Sequence, residues 1–181
     1  MMPAVEQHPE EQRVHQTFET LMWALAEPGS VRKLPRPGLE DIAEALVDIE
    51  VTIFTPNPRL MGQLRRTGAT QTVASEADYL FIPRSDAFLP DIVVEARTGE
   101  PLYPDRAATI VLGADIGSGE KLRLTGPGVD GTCEVLLGGP PAAFWDIRAR
   151  ICRYPLGWDV FFVDGVYVMG LPRSTVVEVL P

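Results

Sequence analysis

Tyr154-Pro155-Leu156-Gly157-Trp158-Asp159 and Leu171-Pro172-Arg173-Ser174-Thr175 bracket two apolar runs, Trp158–Val163 and Val166–Gly170, which meet at Asp164-Gly165. Both runs have strand length and strand composition, β-branched and aromatic. Asp-Gly between them predicts a tight type I′ hairpin, whose two central positions need positive φ. The strand pair therefore carries one special segment at each end. Pro155 and Gly157 shape the way in. Pro172 halts the second strand and leaves Arg173, Ser174 and Thr175 with free donors.

Working outward, Val14, Phe18, Met22 and Leu25 recur at helical spacing between Glu10 and Ala26, and Pro28-Gly29 stops that helix. Pro35-Arg36-Pro37-Gly38 reads as a rigid loop, Leu39–Val47 as a second helix, and Val51–Phe54 as a strand. A short helix is expected over Pro58–Arg66, ending at Gly68. Tyr79–Ile82 reads as a buried strand closed by Pro83, and Ser85 as the N-cap of a helix over Asp86–Ala96. Thr109–Leu112 and Lys121–Thr125 read as strands around a hairpin-like turn, Asp115-Ile116-Gly117-Ser118-Gly119. Cys133–Leu137 is a further strand, Pro140-Pro141 opens a helix to about Cys152, and Val176–Leu180 can add a last strand. Helices mixed with strands and local hairpins imply an α/β fold with α+β character, a mixed sheet flanked by helices. Residues 1–9 read as a loose tail and residues 10–181 as one domain.

The C-terminal segments resemble the PhnH subunit of the bacterial carbon–phosphorus lyase complex. That family shows a [FY]-P-x-G-x-D segment, a hairpin and a P-R-[ST]-T segment, matched here from Tyr154 to Glu178. Phe18-Glu19-Thr20-Leu21-Met22 with Glu27-Pro28-Gly29 is similar to the family's opening helix and its stop. Leu46-Val47-Asp48-Ile49-Glu50 is similar to its second-helix exit, and Leu122–Gly128 to its L-x-G-P-G segment. The resemblance implies a fold like the large domain of pyridoxal-phosphate-dependent transferases, without the cofactor. It also implies a homodimer in isolation and partnership with the G, I and J subunits. In that complex the I-type subunit is associated with exchanging the adenine of a nucleoside triphosphate for phosphonate, and the J-type subunit carries the iron–sulfur cluster. No catalytic residue is implied for this chain.

Composition is compatible. A chain of 181 residues, 45% hydrophobic and 23% charged, is an ordinary globule. No apolar run approaches the roughly 20 residues of a membrane helix, and the acidic N-terminus lacks a signal peptide's basic and apolar regions. A cytoplasmic protein without membrane contact is the expectation. A net charge of −9 disfavours nucleic acid as a partner. Cys133 and Cys152 lack metal-ligand spacing and read as reduced, buried thiols. Two cysteines also cannot hold the iron–sulfur cluster that radical carbon–phosphorus cleavage requires.

The candidate chemistry is sparse. Gly126-Pro127-Gly128-Val129-Asp130-Gly131 fits G-x-G-x-x-G, but a dinucleotide site needs a helix next, and Thr132–Leu137 continues as strand. Gly126 and Gly128 remain candidates for shaping an interface or pocket. Lys33 and Lys121 are the only lysines, and neither has the surroundings of a Schiff-base lysine, so no cofactor is expected. His8 and His15 make a poor metal site and no triad. Asp48 and Glu50 are either functional carboxylates or a helix-exit hydrogen bond, and caps and turns favour the second. Arg173, Ser174 and Thr175 form the best anion-binding candidate. With Asp159 and Gly157 beside them, the competing reading is a structural Arg–Asp pair. The function expected is an accessory, non-catalytic subunit of the complex that attaches phosphonate to ribose. The alternative is a free-standing enzyme or nucleotide-binding or phosphonate-binding protein using the Arg173 and Asp159 region.

Overall fold

In the central strands, residues pointing one way and residues pointing the other are both apolar, which is what a sheet buried on two faces requires. The computed structural model describes residues 8–84 and 89–181. Its main sheet has seven strands in the order β1 (Arg32–Lys33), β11 (Tyr167–Leu171), β10 (Asp159–Asp164), β7 (Thr109–Gly113), β4 (Tyr79–Ile82), β2 (Thr52–Phe54) and β3 (Thr70–Gln71). From β10 to β3 the strands are parallel, while β11 pairs antiparallel with β10 on one side and with β1 on the other. The fold is thus mixed α/β, with a mixed sheet and helices on both faces.

Phe81, Val111, Phe161, Val163 and Val168 pack in one core with α1 (Pro9–Ala26), α2 (Leu39–Leu46) and α3 (Pro58–Leu64). The alternate residues Leu80, Ile82, Ile110, Leu112, Val160 and Phe162 pack in a second core. That core is covered by α4 (Leu89–Glu95), α5 (Ala142–Ile151) and a three-stranded antiparallel sheet. Its strand order is β12 (Val176–Leu180), β8 (Asp115–Thr125) and β9 (Cys133–Gly138). Burying each such side chain stabilises by roughly 1.5–3 kcal/mol. A local signal fixes the start of α3: Asn57 accepts the Leu60 N–H at 3.0 Å, with Pro58 in the first turn.

The structure corrects several expectations. Asp164 pairs with Tyr167, so the hairpin turn is Gly165-Val166, one residue later than Asp164-Gly165. Gly165 has φ +57° and no non-glycine residue among those described has positive φ. This pattern suits a turn with glycine at its first central position, not type I′. Asp115–Gly119 is not a hairpin turn either. β7 and β8 lie in different sheets, and Ile116 and Glu120 both face Leu137, so Gly117-Ser118-Gly119 bulges out of one long strand. Lys121 therefore sits within β8, where it pairs with Glu134 at 2.7 Å. Pro141 is the N-cap of α5, outside its first turn, and Pro9 already belongs to α1. The expected Ser85 cap lies outside the described residues.

A hairpin of β5 (Thr98–Glu100) and β6 (Tyr103–Ala107) turns through Pro101-Leu102 and escaped the sequence reading. No helix among the described residues is long and apolar enough to cross a membrane.

Candidate functional site

The paired registers Asp159–Thr109, Tyr79–Thr109 and Ile53–Tyr79 align the N-terminal ends of four parallel strands on one edge of the sheet. There the segments flanking the β10–β11 hairpin meet. Asp159 opens β10, and Arg173 follows the proline that ends β11. The Arg173 backbone N–H donates to Asp159 Oδ1 at 2.7 Å, its Nε to the same oxygen at 3.2 Å, and its Nη2 to Oδ2 at 2.6 Å. Nη1 donates to the Pro104 carbonyl on β6 at 2.6 Å. Every guanidinium nitrogen is therefore engaged within the chain. The pair is mostly enclosed, with side-chain exposures of 15% for Arg173 and 19% for Asp159.

The turn Pro172–Thr175 closes on itself through the Thr175 N–H and the Pro172 carbonyl, 3.0 Å apart. Beneath it lies Arg148 of α5, only 3% exposed. Its Nη1 donates to the Thr175 carbonyl at 2.9 Å and its Nη2 to the Pro172 carbonyl at 2.8 Å. Burial pushes the Arg148 guanidinium below its usual pKa, with the Asp159 carboxylate opposing the shift. Thr175 is buried, and neither its hydroxyl nor Arg148 Nε has a hydrogen-bond partner among the described residues. Ser174 is half-buried at the top of the turn.

The candidate glycines are spacers in this assembly. A Cβ on Gly126 would stand 2.9 Å from the Ser174 carbonyl, and one on Gly128 only 2.1 Å from the Ala26 carbonyl at the end of α1. Both have positive φ. Gly126-Pro127-Gly128 is thus wedged between the exit of the first helix and the Arg173 turn, and the strand β9 follows it. Gly157 has φ +122°, would collide with Cys152 if it carried a side chain, and donates its N–H to the Thr98 carbonyl of β5 at 2.9 Å. The Cys152 thiol is pushed up by burial, against the pull of Arg148, and donates to the Trp158 carbonyl at 3.7 Å, so it stays protonated and inert. Tyr154-Pro155 is a cis peptide bond, and Trp158 is fully buried.

Asp78, next on the same edge, accepts from the Thr52 backbone N–H and hydroxyl, both at 2.7 Å, and pairs with Arg97. Burial alone would raise the Asp78 pKa, but the Thr52 and Arg97 donors outweigh it and hold the carboxyl below its usual range. Asp48 Oδ1 accepts the Glu50 N–H at 2.8 Å on an exposed turn, the arrangement of a helix exit. No group of three or more histidine, cysteine, aspartate or glutamate side chains among the described residues is placed to hold a metal.

Residues 7–178 match the PhnH family, described as bacterial phosphonate metabolism proteins. The chain belongs to that family. It is also 29% identical over 170 residues to a protein of Stutzerimonas stutzeri, HtxG, whose name gives it as a candidate C–P lyase subunit; the alignment covers 90% of this chain and 85% of that one.

Within this PhnH chain the C-terminal segments, the Gly126–Gly128 turn and the end of the first helix are far apart in sequence, yet they form one packed unit. The sequence reading missed Arg148 and the β5–β6 hairpin that completes it. Arg148 had a signal: Phe144, Ile147, Arg148 and Ile151 share one face of α5 at helical spacing, which places an arginine among core residues. The hairpin had none, because Pro104 falls inside its second strand and Thr98-Gly99-Glu100 lacks the composition of a strand.

Proposed function

We propose that the chain is an accessory, non-catalytic subunit of a carbon–phosphorus lyase core complex in organophosphonate catabolism. Its role is architectural. It supports partner subunits of the G, I and J types while they transfer phosphonate to the ribose of a nucleoside triphosphate. It acts in the cytoplasm, as a homodimer when alone and in a heteromeric assembly with its partners. Its sheet is a variant of the pyridoxal-phosphate-dependent transferase large domain, a reading supported by the parallel core with an antiparallel pair at one side.

Membership of the PhnH family carries this reading. The geometry at the sheet edge supports it. Arg173 and Arg148 spend their donors on Asp159 and on backbone carbonyls of the same chain, which makes the segment a strut.

Deleting the gene from its host tests the proposal. Growth on methylphosphonate as sole phosphorus source should stop and return with the gene, and a tagged copy should capture the three partner subunits. Unchanged growth after deletion would overturn it. So would cleavage of methylphosphonate, or its attachment to ribose, by the pure chain alone.

A further inference from the structure

β1 is the last strand on its side of the seven-stranded sheet, so its outer edge has no neighbouring strand among the described residues. The β1–β11 ladder tells which groups face that edge. The Leu34 N–H donates to the Val166 carbonyl at 2.8 Å, Lys33 stands opposite Tyr167, and Arg32 opposite Val168. Bonded and non-bonded pairs alternate along an antiparallel ladder. The Arg32 N–H and carbonyl therefore point at β11, whereas those of Val31 and Lys33 point away from it. Pro35 has no N–H and ends the run of outward donors. An extended chain laid along this edge finds the Val31 and Lys33 main-chain groups ready to pair.

The edge borders an open groove of about 740 Å³, whose other wall is the α1 face with Glu19, Thr20 and Trp23. Val31 is 50% exposed and Trp23 44%, and the Arg32 guanidinium lies 5.7 Å from the Trp23 ring centroid. Charge selects the occupant. From Pro28 to Leu39 the chain carries Arg32, Lys33 and Arg36 and no carboxylate, within a protein of net charge −9. Arg32 pairs with Glu27, but Lys33 and Arg36 are exposed and have no ion-pair partner among the described residues. Glu19 is the one carboxylate lining the groove. A second copy laid β1 against β1 would set these cations against each other, which is unfavourable. Lysine on an edge strand repels basic strands and discourages neutral ones. A strand bearing carboxylates turns that penalty into attraction.

We propose that the free edge of β1 takes an extended, acidic segment of a different chain, a partner subunit of the assembly, as an added strand. Main-chain bonds run to Val31 and Lys33, and the carboxylates of the segment face Lys33 and Arg36. The inference rests on the complex-membership part of the reading above and names its surface.

Binding of the purified G, I and J subcomplex to the immobilised full chain tests it, together with amide exchange of the free and assembled protein. In the assembly the Val31 and Lys33 amides should exchange at least about tenfold more slowly, while the Arg32 amide, already bonded to β11, should not change. Lys33→Glu should weaken binding about tenfold, by replacing an attraction with a repulsion. Val31→Pro removes an outward N–H and no bond to β11, so it should weaken binding as much with an unchanged circular dichroism spectrum. Arg66→Glu makes the same charge change just before β3, at the opposite end of the sheet, and should leave binding within about twofold. Unprotected Val31 and Lys33 amides, wild-type binding by both edge variants, or an equal loss with Arg66→Glu would overturn the proposal and leave complex membership standing. A wild-type chain that binds none of the partners would overturn both. Conversion of a dimer of the isolated chain into a monomer by Val31→Pro, seen in light scattering, would assign the edge to a second copy and also overturn the proposal.

Discussion

Asp159 and Arg173, 14 residues apart, close the open end of the β10–β11 hairpin with three hydrogen bonds, one from the backbone and two from the guanidinium. The fourth Arg173 bond, to the Pro104 carbonyl, ties that hairpin to β6. One arginine thus joins the last two strands of the main sheet to a separate two-stranded arm.

If the pair is a strut, Arg173→Ala and Asp159→Ala should each lower folding stability by about 2–4 kcal/mol, the cost of stranding a mostly buried charge. The double variant should lose less than the sum, because either single change already breaks the shared bonds. Urea titrations of the four proteins measure this. Additive losses below about 0.5 kcal/mol each would mean that the pair holds nothing.

Arg148 should matter as much, although it touches no carboxylate. Its two carbonyl bonds are the buried support of the Pro172–Thr175 turn. Arg148→Ala removes them, strands two buried acceptors and opens a cavity, so a loss of about 3 kcal/mol is expected. Arg150→Ala, on the same helix with its Nε bonded only to the exposed Asp146 carbonyl, should change stability by less than about 0.5 kcal/mol. Thermal melts of the two variants against the wild type decide between them.

Much of this arrangement was legible in the sequence, and for identifiable reasons. The apolar runs of β4, β7 and β10 are buried on both faces, so their composition alone betrays them. Pro172 and Gly157 mark the ends of the hairpin segments wherever the turn itself falls. The exact turn was not legible, because Asp164-Gly165 and Gly165-Val166 both place a glycine where positive φ is needed, and only the β10–β11 register chooses between them. Gly117-Ser118-Gly119 misled for a related reason: flexible residues permit a bulge as readily as a reversal, and the partner strand β9 decides. The contact between Arg173 and Pro104 spans 69 residues, and no local pattern encodes it.

Two glycines should respond in opposite directions to alanine. A Cβ on Gly170 would sit 2.6 Å from backbone atoms of Ala24, because α1 lies directly on β11 there. Gly170→Ala should force the helix off the strand and cost about 1–3 kcal/mol. Gly62, within α3, has nothing within 4 Å of its missing side chain. Gly62→Ala should stabilise by about 0.5–1 kcal/mol through helix propensity. Chemical denaturation of both variants provides the measurement; a neutral Gly170→Ala would mean that α1 is not seated as closely as described.

The Asp78 cluster predicts a pH dependence whose sign follows from its bonds. The folded-state pKa of Asp78 lies below the unfolded value, since the Thr52 donors and Arg97 outweigh the effect of burial. The stability it contributes is therefore fully present above the ordinary carboxylate range, roughly pH 4, and is lost as pH falls through the lower folded value. Asp78→Asn should be less stable than the wild type at pH 7, and the gap should narrow steadily below about pH 4. Arg97 and the backbone of Thr52 connect this carboxylate to β5 and to the start of β2, so the variant should also loosen the two-stranded arm. Hydrogen exchange at the Thr98 and Ala108 amides should then quicken at pH 7. A gap between the two proteins that stays constant from pH 7 to pH 3 would show that Asp78 is not held in its charged form by these donors.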